Sequence, residues 1–162
     1  MKTTILVDND AQEGLGCEWG FSALIETDSA TILLDSGASG LFAQNAQALG
    51  IDLADVDYCV LSHAHFDHAD GFGDFFAIND HAPLLIRSSC EETCWSDAKG
   101  DMKYIGIQRG LLEQQALRIE RVDGTLQFAP SAWLLGHDTE GLEIIGEREH
   151  LYPVSYTHLR AH

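Results

Sequence analysis

Three histidines and an aspartate stand within six positions of one another in "LSHAHFDHADG": His63, His65, Asp67 and His68. Imidazole nitrogen and carboxylate oxygen together form a donor set suited to zinc, iron or manganese. His63 and His65 are two residues apart, so an extended backbone points both rings to the same side, within reach of one cation. Asp67 and His68 follow on a predicted tight loop that turns into a helix at Asp70, where they can face a second, neighbouring position. A lone histidine in such a loop reads most simply as a locally hydrogen-bonded surface group. Three of them around an aspartate, directly behind an apolar run, favour a metal.

The element that must position the cluster is "YCVLS" (residues 58–62), short, apolar and β-branched enough for a buried strand that delivers ligands from its end. Upstream, "TILVD" (4–8) predicts a first strand. "WGFSALIET" (19–27) places Phe21, Ala23 and Ile25 on one face and predicts a second. "DSA" turns it into "TILLDSG" (31–37), a predicted hairpin broken by Gly37 and Gly40. "LFAQNAQALG" spaces Phe42, Ala46 and Leu49 on one helix face, with Gly50 as its stop. Downstream, "PLLIRS" (83–88) predicts a strand, and Ser89 with Glu92 has capping-box spacing for a short helical turn through Cys94 and Trp95. Asp123-Gly124 sits between two alternating runs and predicts a hairpin, with "AWLLG" (132–136) a further strand. Strands dominate with helices interspersed, so the class is α/β or α+β.

Bulk composition narrows the role. The chain has 162 residues, 45% of them hydrophobic and 22% charged, the size and balance of one globular domain. Its 26 acidic residues against 9 Lys and Arg repel polyanions, which argues against nucleic acid and anionic membrane as partners. An anionic substrate is disfavoured too, unless bound cations reverse the local field. No apolar run approaches the ~20 residues of a membrane helix, and "MKTTILVDND" lacks the centre of a secretory signal, so the expected compartment is the cytoplasm. Cys17, Cys59, Cys90 and Cys94 are too scattered for a disulfide framework and read as reduced, mostly structural thiols. The final "PVSYTHLRAH" is locally basic and continues no pattern. It is expected to be a non-native tail over 153–162, leaving 1–152 for the fold.

These residues resemble a family. "LSHAHFDHADG" is similar to the H-x-H-x-D-H signature of the metallo-β-lactamase superfamily, and "WGFSALIETDSATILLDSG" resembles the paired strands and Asp-Ser/Thr-Gly turn that precede it. "LFAQNAQALGIDLADVDYCVLSH" resembles the first helix and next strand. Within the superfamily the wording is most similar to the branch of 7,8-dihydropterin-6-methyl-4-(β-D-ribofuranosyl)aminobenzene-5'-phosphate synthase, to which "YIGIQRG" and "LQFAPSAWLLGH" bear a looser likeness. The resemblance implies the first half of an αββα sandwich, with the N-terminal portion of the domain over 1–152 and the second half missing. It implies two zinc sites in the complete fold, with iron or manganese as alternatives. His63 and His65 match ligands of the first metal, Asp67 and His68 ligands of the second, and Asp67 is the candidate to orient or accept a proton. Asp35 matches a carboxylate that orients the site from behind, although a turn-stabilising role before Gly37 reads equally well.

The implied reaction is hydrolysis of a small-molecule substrate by metal-activated water. The family site also takes a third histidine, a bridging aspartate and a last histidine, and the Gly-Cys-Ser-His-like segment of this branch does not occur. His137, with Asp138 beside it, follows an apolar run as a ligand would and is a further candidate. His81, His150, His158 and His162 read as surface or tail residues. Two readings from other classes stand beside the hydrolase: a non-catalytic metal-binding fragment or remnant needing a missing half, and a di-iron redox protein needing a flavin-bearing partner. Half a sandwich is also expected to leave an apolar sheet face and a strand edge exposed. Oligomeric state leaves no mark in the sequence.

Overall fold

In the computed structural model, which describes residues 1–136, 146 and 148–152, the chain opens as an antiparallel meander. β1 (Lys2–Val7) pairs with β2 (Ser22–Glu26), and β2 with β3 (Thr31–Leu34). The β2–β3 turn is closed by Thr27, whose Oγ1 accepts the backbone N–H of Ser29 and Ala30. Pairing then becomes parallel. α1 (Leu41–Ala48) carries the chain to β4 (Tyr58–Val60), and α2 (Phe66–Ala69) with α3 (Phe72–Ile78) carries it to β5 (Leu84–Arg87). β6 (Trp95–Ser96), β7 (Lys103–Tyr104) and α4 (Leu111–Gln114) lead to β8 (Ile119–Val122). The main sheet has the order β1-β2-β3-β4-β5-β8, its last four strands parallel.

Both faces of that sheet are covered, so its strands read as near-continuous apolar runs. On one face Leu24, Leu33, Cys59, Leu84 and Ile86 pack with Phe42, Phe72 and Phe75 from the helices. On the other, Ile32, Val60, Leu85 and Val122 pack against Leu126, Phe128 and Leu134. The latter come from β9 (Leu126–Ala129) and β10 (Ala132–Leu134), which form a two-stranded sheet of their own. The layering is helix, sheet, sheet, as the resemblance implies. The expectation of a bare apolar face is met in part, because this small sheet covers it while leaving Trp133 and Leu135 exposed. β11 (Leu151–Tyr152) pairs with β6 in a third, peripheral sheet.

Four local expectations are corrected. Asp123-Gly124 is a turn but not a hairpin: β8 is taken by β5, and Gly124 (φ 80) redirects the chain into the second sheet. No helix forms over 89–95, where Trp95–Ser96 is extended. Glu92 instead reaches across to accept the N–H of Gly110 and Leu112, satisfying the first turn of α4 rather than its own segment. On α1 the inward face runs through Phe42, Asn45 and Ala46, while Leu49 lies outside the helix and is exposed. Asn45 is buried because its amide bonds the backbone of Leu6 and Gly16. The helix expected to begin at Asp70 begins at Phe66.

Candidate metal centre

β3 and β4 are parallel neighbours, so their C-terminal ends open side by side, where substituents project beyond the sheet. Asp35 leaves the first end and Ser62 the second, and Asp35 N–H donates to Val60 O at 2.9 Å. Asp35 takes a left-handed backbone (φ 55), a conformation that costs an ordinary L-residue about 1 kcal/mol and that Asp tolerates better than most. Its side chain is 2% exposed. One oxygen accepts Ser62 N–H at 2.7 Å, and the other accepts Ser62 Oγ–H at 2.5 Å. That second oxygen also takes Nδ1–H of His68 at 2.7 Å.

This network sets two tautomers. A carboxylate only accepts, so His68 carries its proton on Nδ1 and presents Nε2 as the lone pair. Ser62 donates to Asp35, so its oxygen is left to accept from Nδ1 of His63, 3.0 Å away. A single buried carboxylate therefore orients His68 directly and His63 through Ser62. Burial alone would lower the His68 pKa; the hydrogen bond and charge of Asp35, with the charge of Asp67, outweigh it and raise the value.

The rings gather. His63 lies 4.7 Å from His65 and 4.1 Å from His68 between centroids, and Asp67 Oδ2 is 4.0 Å from His68 Nε2. The loop carrying them is clamped by backbone bonds. Phe21 N–H donates to Asp67 O at 3.1 Å, Ser36 N–H to His68 O at 2.8 Å, and Ile107 N–H to Ala64 O at 2.8 Å. A Cβ on Gly20 would sit 2.4 Å from Asp67 O, so the β2 entry approaches as closely as only glycine permits. Asp70, just beyond, has its carboxyl pKa raised by burial, and its Oδ1 is buried without a hydrogen-bond partner.

The donor chemistry fits a divalent transition ion, and the histidine–carboxylate pairing behind it is the usual support for such ligands. Among the described residues, however, no group of three or more His, Cys, Asp or Glu is disposed to hold a metal ion. The division into His63 with His65 and Asp67 with His68 is what the family resemblance implies; by ring centroids His63 lies nearer His68 (4.1 Å) than His65 (4.7 Å).

Of the residues expected at the site, the structure brings together His63, His65, Asp67, His68 and Asp35. His137, Asp138, His158 and His162 lie outside the described residues, as does the tail 153–162. His81 is exposed beside Asp80, and His150 is exposed with its Nδ1 toward Asp97. Cys17 is exposed and Cys59, Cys90 and Cys94 are buried, none of the four in a disulfide, though Cys90 and Cys94 share no helix. Ser62 and Gly20 were missed: a serine before a histidine has no distinctive pattern, and its importance arises only when Asp35 arrives from another strand.

The chain is similar to several known proteins. Over 111 residues the chain is 35% identical to "Uncharacterized protein MJ0448" of Methanocaldococcus jannaschii, covering 67% of this chain and 41% of that protein. It is 27% identical over 116 residues to the anti-Pycsar protein Apyc1 of Saccharibacillus brassicae, covering 68% and 47%. The fold superposes on the crystal structure of Tm1679, a metal-dependent hydrolase of the beta-lactamase superfamily, with TM-score 0.65 and 26% identity over 83% of this chain and 47% of the other. The chain thus spans less than half of each of these relatives. Residues 16–162 match the metallo-beta-lactamase superfamily as a whole, and with this sheet order and histidine segment the chain belongs to that family.

Proposed function

We propose that this chain carries the metal-binding half of a dinuclear, metal-dependent hydrolase acting on a small molecule. His63 and His65 would hold one divalent ion and Asp67 and His68 the other, with zinc first and iron or manganese as alternatives. Ions in such sites supply a nucleophile from water at neutral pH and polarise a carbonyl or phosphoryl oxygen. The protein's own share is orientation. Asp35 and Ser62 keep the Nδ1 atoms of His68 and His63 turned inward, and Asp67 stands where it can orient or accept a proton. The observation that carries the reading is this shared carboxylate behind two rings that lie 4.1 Å apart. Family membership and the likeness to Tm1679 support hydrolysis as the reaction class.

That no group of three or more such donors among the described residues could hold a metal ion favours a second reading, a weak metal binder whose remaining ligands come from elsewhere. Metal analysis of the purified protein and its His63→Ala and His65→Ala variants, alongside hydrolysis of p-nitrophenyl acetate and bis-p-nitrophenyl phosphate, separates the two. Metal lost on substitution together with turnover by the parent supports the hydrolase, and metal without turnover supports the binder. Unchanged metal stoichiometry in both variants refutes the site. No described helix is long and apolar enough to cross a membrane.

A further inference from the structure

In a chain with 26 acidic residues and only 9 Lys and Arg, the surroundings of each cation are informative. Lys2 faces Glu26 and Arg121 faces Glu91, while Arg118 donates to the carbonyls of Asn79 and Ala82. Arg109 does something else. Its guanidinium carbon lies 4.4 Å from the Tyr104 ring centre and 5.0 Å from that of Trp95. Among the described residues no carboxylate forms an ion pair with it, and Glu92 close by is engaged by the N–H groups of Gly110 and Leu112. The rings are fixed in turn: Tyr104 OH donates to Ile107 O at 2.6 Å, and the two aromatics meet edge to face at 5.4 Å. A guanidinium held over ring faces, with no carboxylate paired to it among the described residues, keeps N–H donors for a planar anionic group, which it can take two bonds at a time.

Arg109 lines an open groove of about 630 Å³ together with Phe66, Asp70, Tyr104, Gly106 and Gln108. That groove adjoins the histidine cluster. Phe66 separates His65 from Asp67, Gly106 bridges His65, and Phe66 N–H donates to Ile105 O at 2.9 Å. The Asp70 carboxylate accepts the Gln108 backbone N–H, so the segment bearing Arg109 is tied to the cluster's own loop from both ends.

We infer that Arg109 is a specificity-determining residue that selects substrates bearing an anionic oxygen group, phosphate or carboxylate, and seats that group in the groove beside the histidines. The inference rests on the hydrolase reading and adds to it the class of substrate. The acidic surface repels anions at long range, which makes one preorganised cation at the groove the feature that admits them.

Phenyl phosphate, benzoate and neutral phenol are the probes, with binding followed by calorimetry on chelator-treated and on zinc-loaded protein. The parent is expected to bind one of the anions at least about tenfold more tightly than phenol in both states, and the better anion separates phosphate from carboxylate. Arg109→Gln is expected to erase the preference, and Arg109→Lys, which keeps the charge without the planar fork, to retain part of it. Equal affinities for the three probes, or a preference that survives in Arg109→Gln, overturns the inference; if the glutamine variant fails to fold, a full preference in Arg109→Lys does the same. Zinc content is measured on the same samples. Zinc retained while the preference is lost supports Arg109, whereas an anion preference in a parent that takes up no zinc removes the metal reading and leaves the anion site standing.

Discussion

His68 Nδ1 lies 2.7 Å from Asp35 Oδ2, a bond between residues 33 positions apart that joins the end of β3 to α2. Replacing the carboxylate tests what it does. Asparagine tolerates the left-handed backbone nearly as well as aspartate, but cannot accept from Ser62 Oγ and His68 Nδ1 on one oxygen without changing the rest of the network. Asp35→Asn should therefore lower metal affinity about 10- to 100-fold, the usual effect of losing a histidine's supporting partner, as read by chelator competition. Asp35→Ala should also cost about 3 kcal/mol or more in urea unfolding, because Ser62 and His68 lose a buried, charged acceptor. Parental metal affinity in Asp35→Asn would sink the orienting role.

Gly71 offers a steric test of the same region. A Cβ there would lie 2.2 Å from Ser36 O and 2.7 Å from Ser39 O. Both obstacles are backbone, so neither can swing aside. Gly71→Ala should push the start of α3 off the β3–α1 loop, destabilise by roughly 3 kcal/mol or more and release metal with it. Gly50→Ala is the control: its surroundings are open, and only the left-handed φ of 72 is penalised, about 1 kcal/mol. Denaturation midpoints of the two variants should differ clearly, and equal midpoints would contradict the close approach.

The buried thiols make stability pH-dependent on the alkaline side. Burial raises Cys59 well above its ordinary 9.0 and Cys94 to about 11. A folded-state value above the unfolded one means that the unfolded chain loses its proton first. The stability is thus complete below pH 9 and is lost as pH rises toward 11. Cys94 alone should cost roughly 2–3 kcal/mol across that window. Urea midpoints at pH 8 and pH 10 check this, and Cys94→Ala should flatten the slope. At pH 8 iodoacetamide should label exposed Cys17 and spare the other three until denaturant is added. Equal labelling of all four in native protein would overturn the burial.

Much of this was legible from local pattern. The meander and β4 follow from alternation and apolar runs, and the cluster from residue type and spacing alone. What was not legible depends on partners distant in the chain. Asp123-Gly124 has hairpin chemistry, yet β5 captures β8, because parallel pairing beside a buried strand hides more apolar surface than a local turn. Glu92 reads as a capping-box partner of Ser89, yet it caps α4, some twenty residues further on. The bonds from Asp35 to Ser62 and His68 depend on β3 and β4 lying side by side, and the part of Ser62 in them arises only from that placement.

Asp67 separates the needs of folding from those of metal binding. The contribution of this residue to the fold is its backbone carbonyl, which accepts Phe21 N–H and survives any substitution. Its carboxylate, by contrast, stands 4.0 Å from His68 Nε2 and helps raise the Asp70 pKa by repulsion between the two acids. Removing that charge without changing shape should relieve the apo protein. Asp67→Asn should unfold within about 0.5 kcal/mol of the parent, or slightly later, when metal is stripped. Added zinc should stabilise the parent in proportion to the logarithm of its concentration once the sites fill, and stabilise Asp67→Asn much less. Thermal melts with and without zinc measure both effects at once. A variant that loses stability in the absence of metal would show that the carboxylate serves the fold, and equal zinc-induced shifts would remove Asp67 from the site.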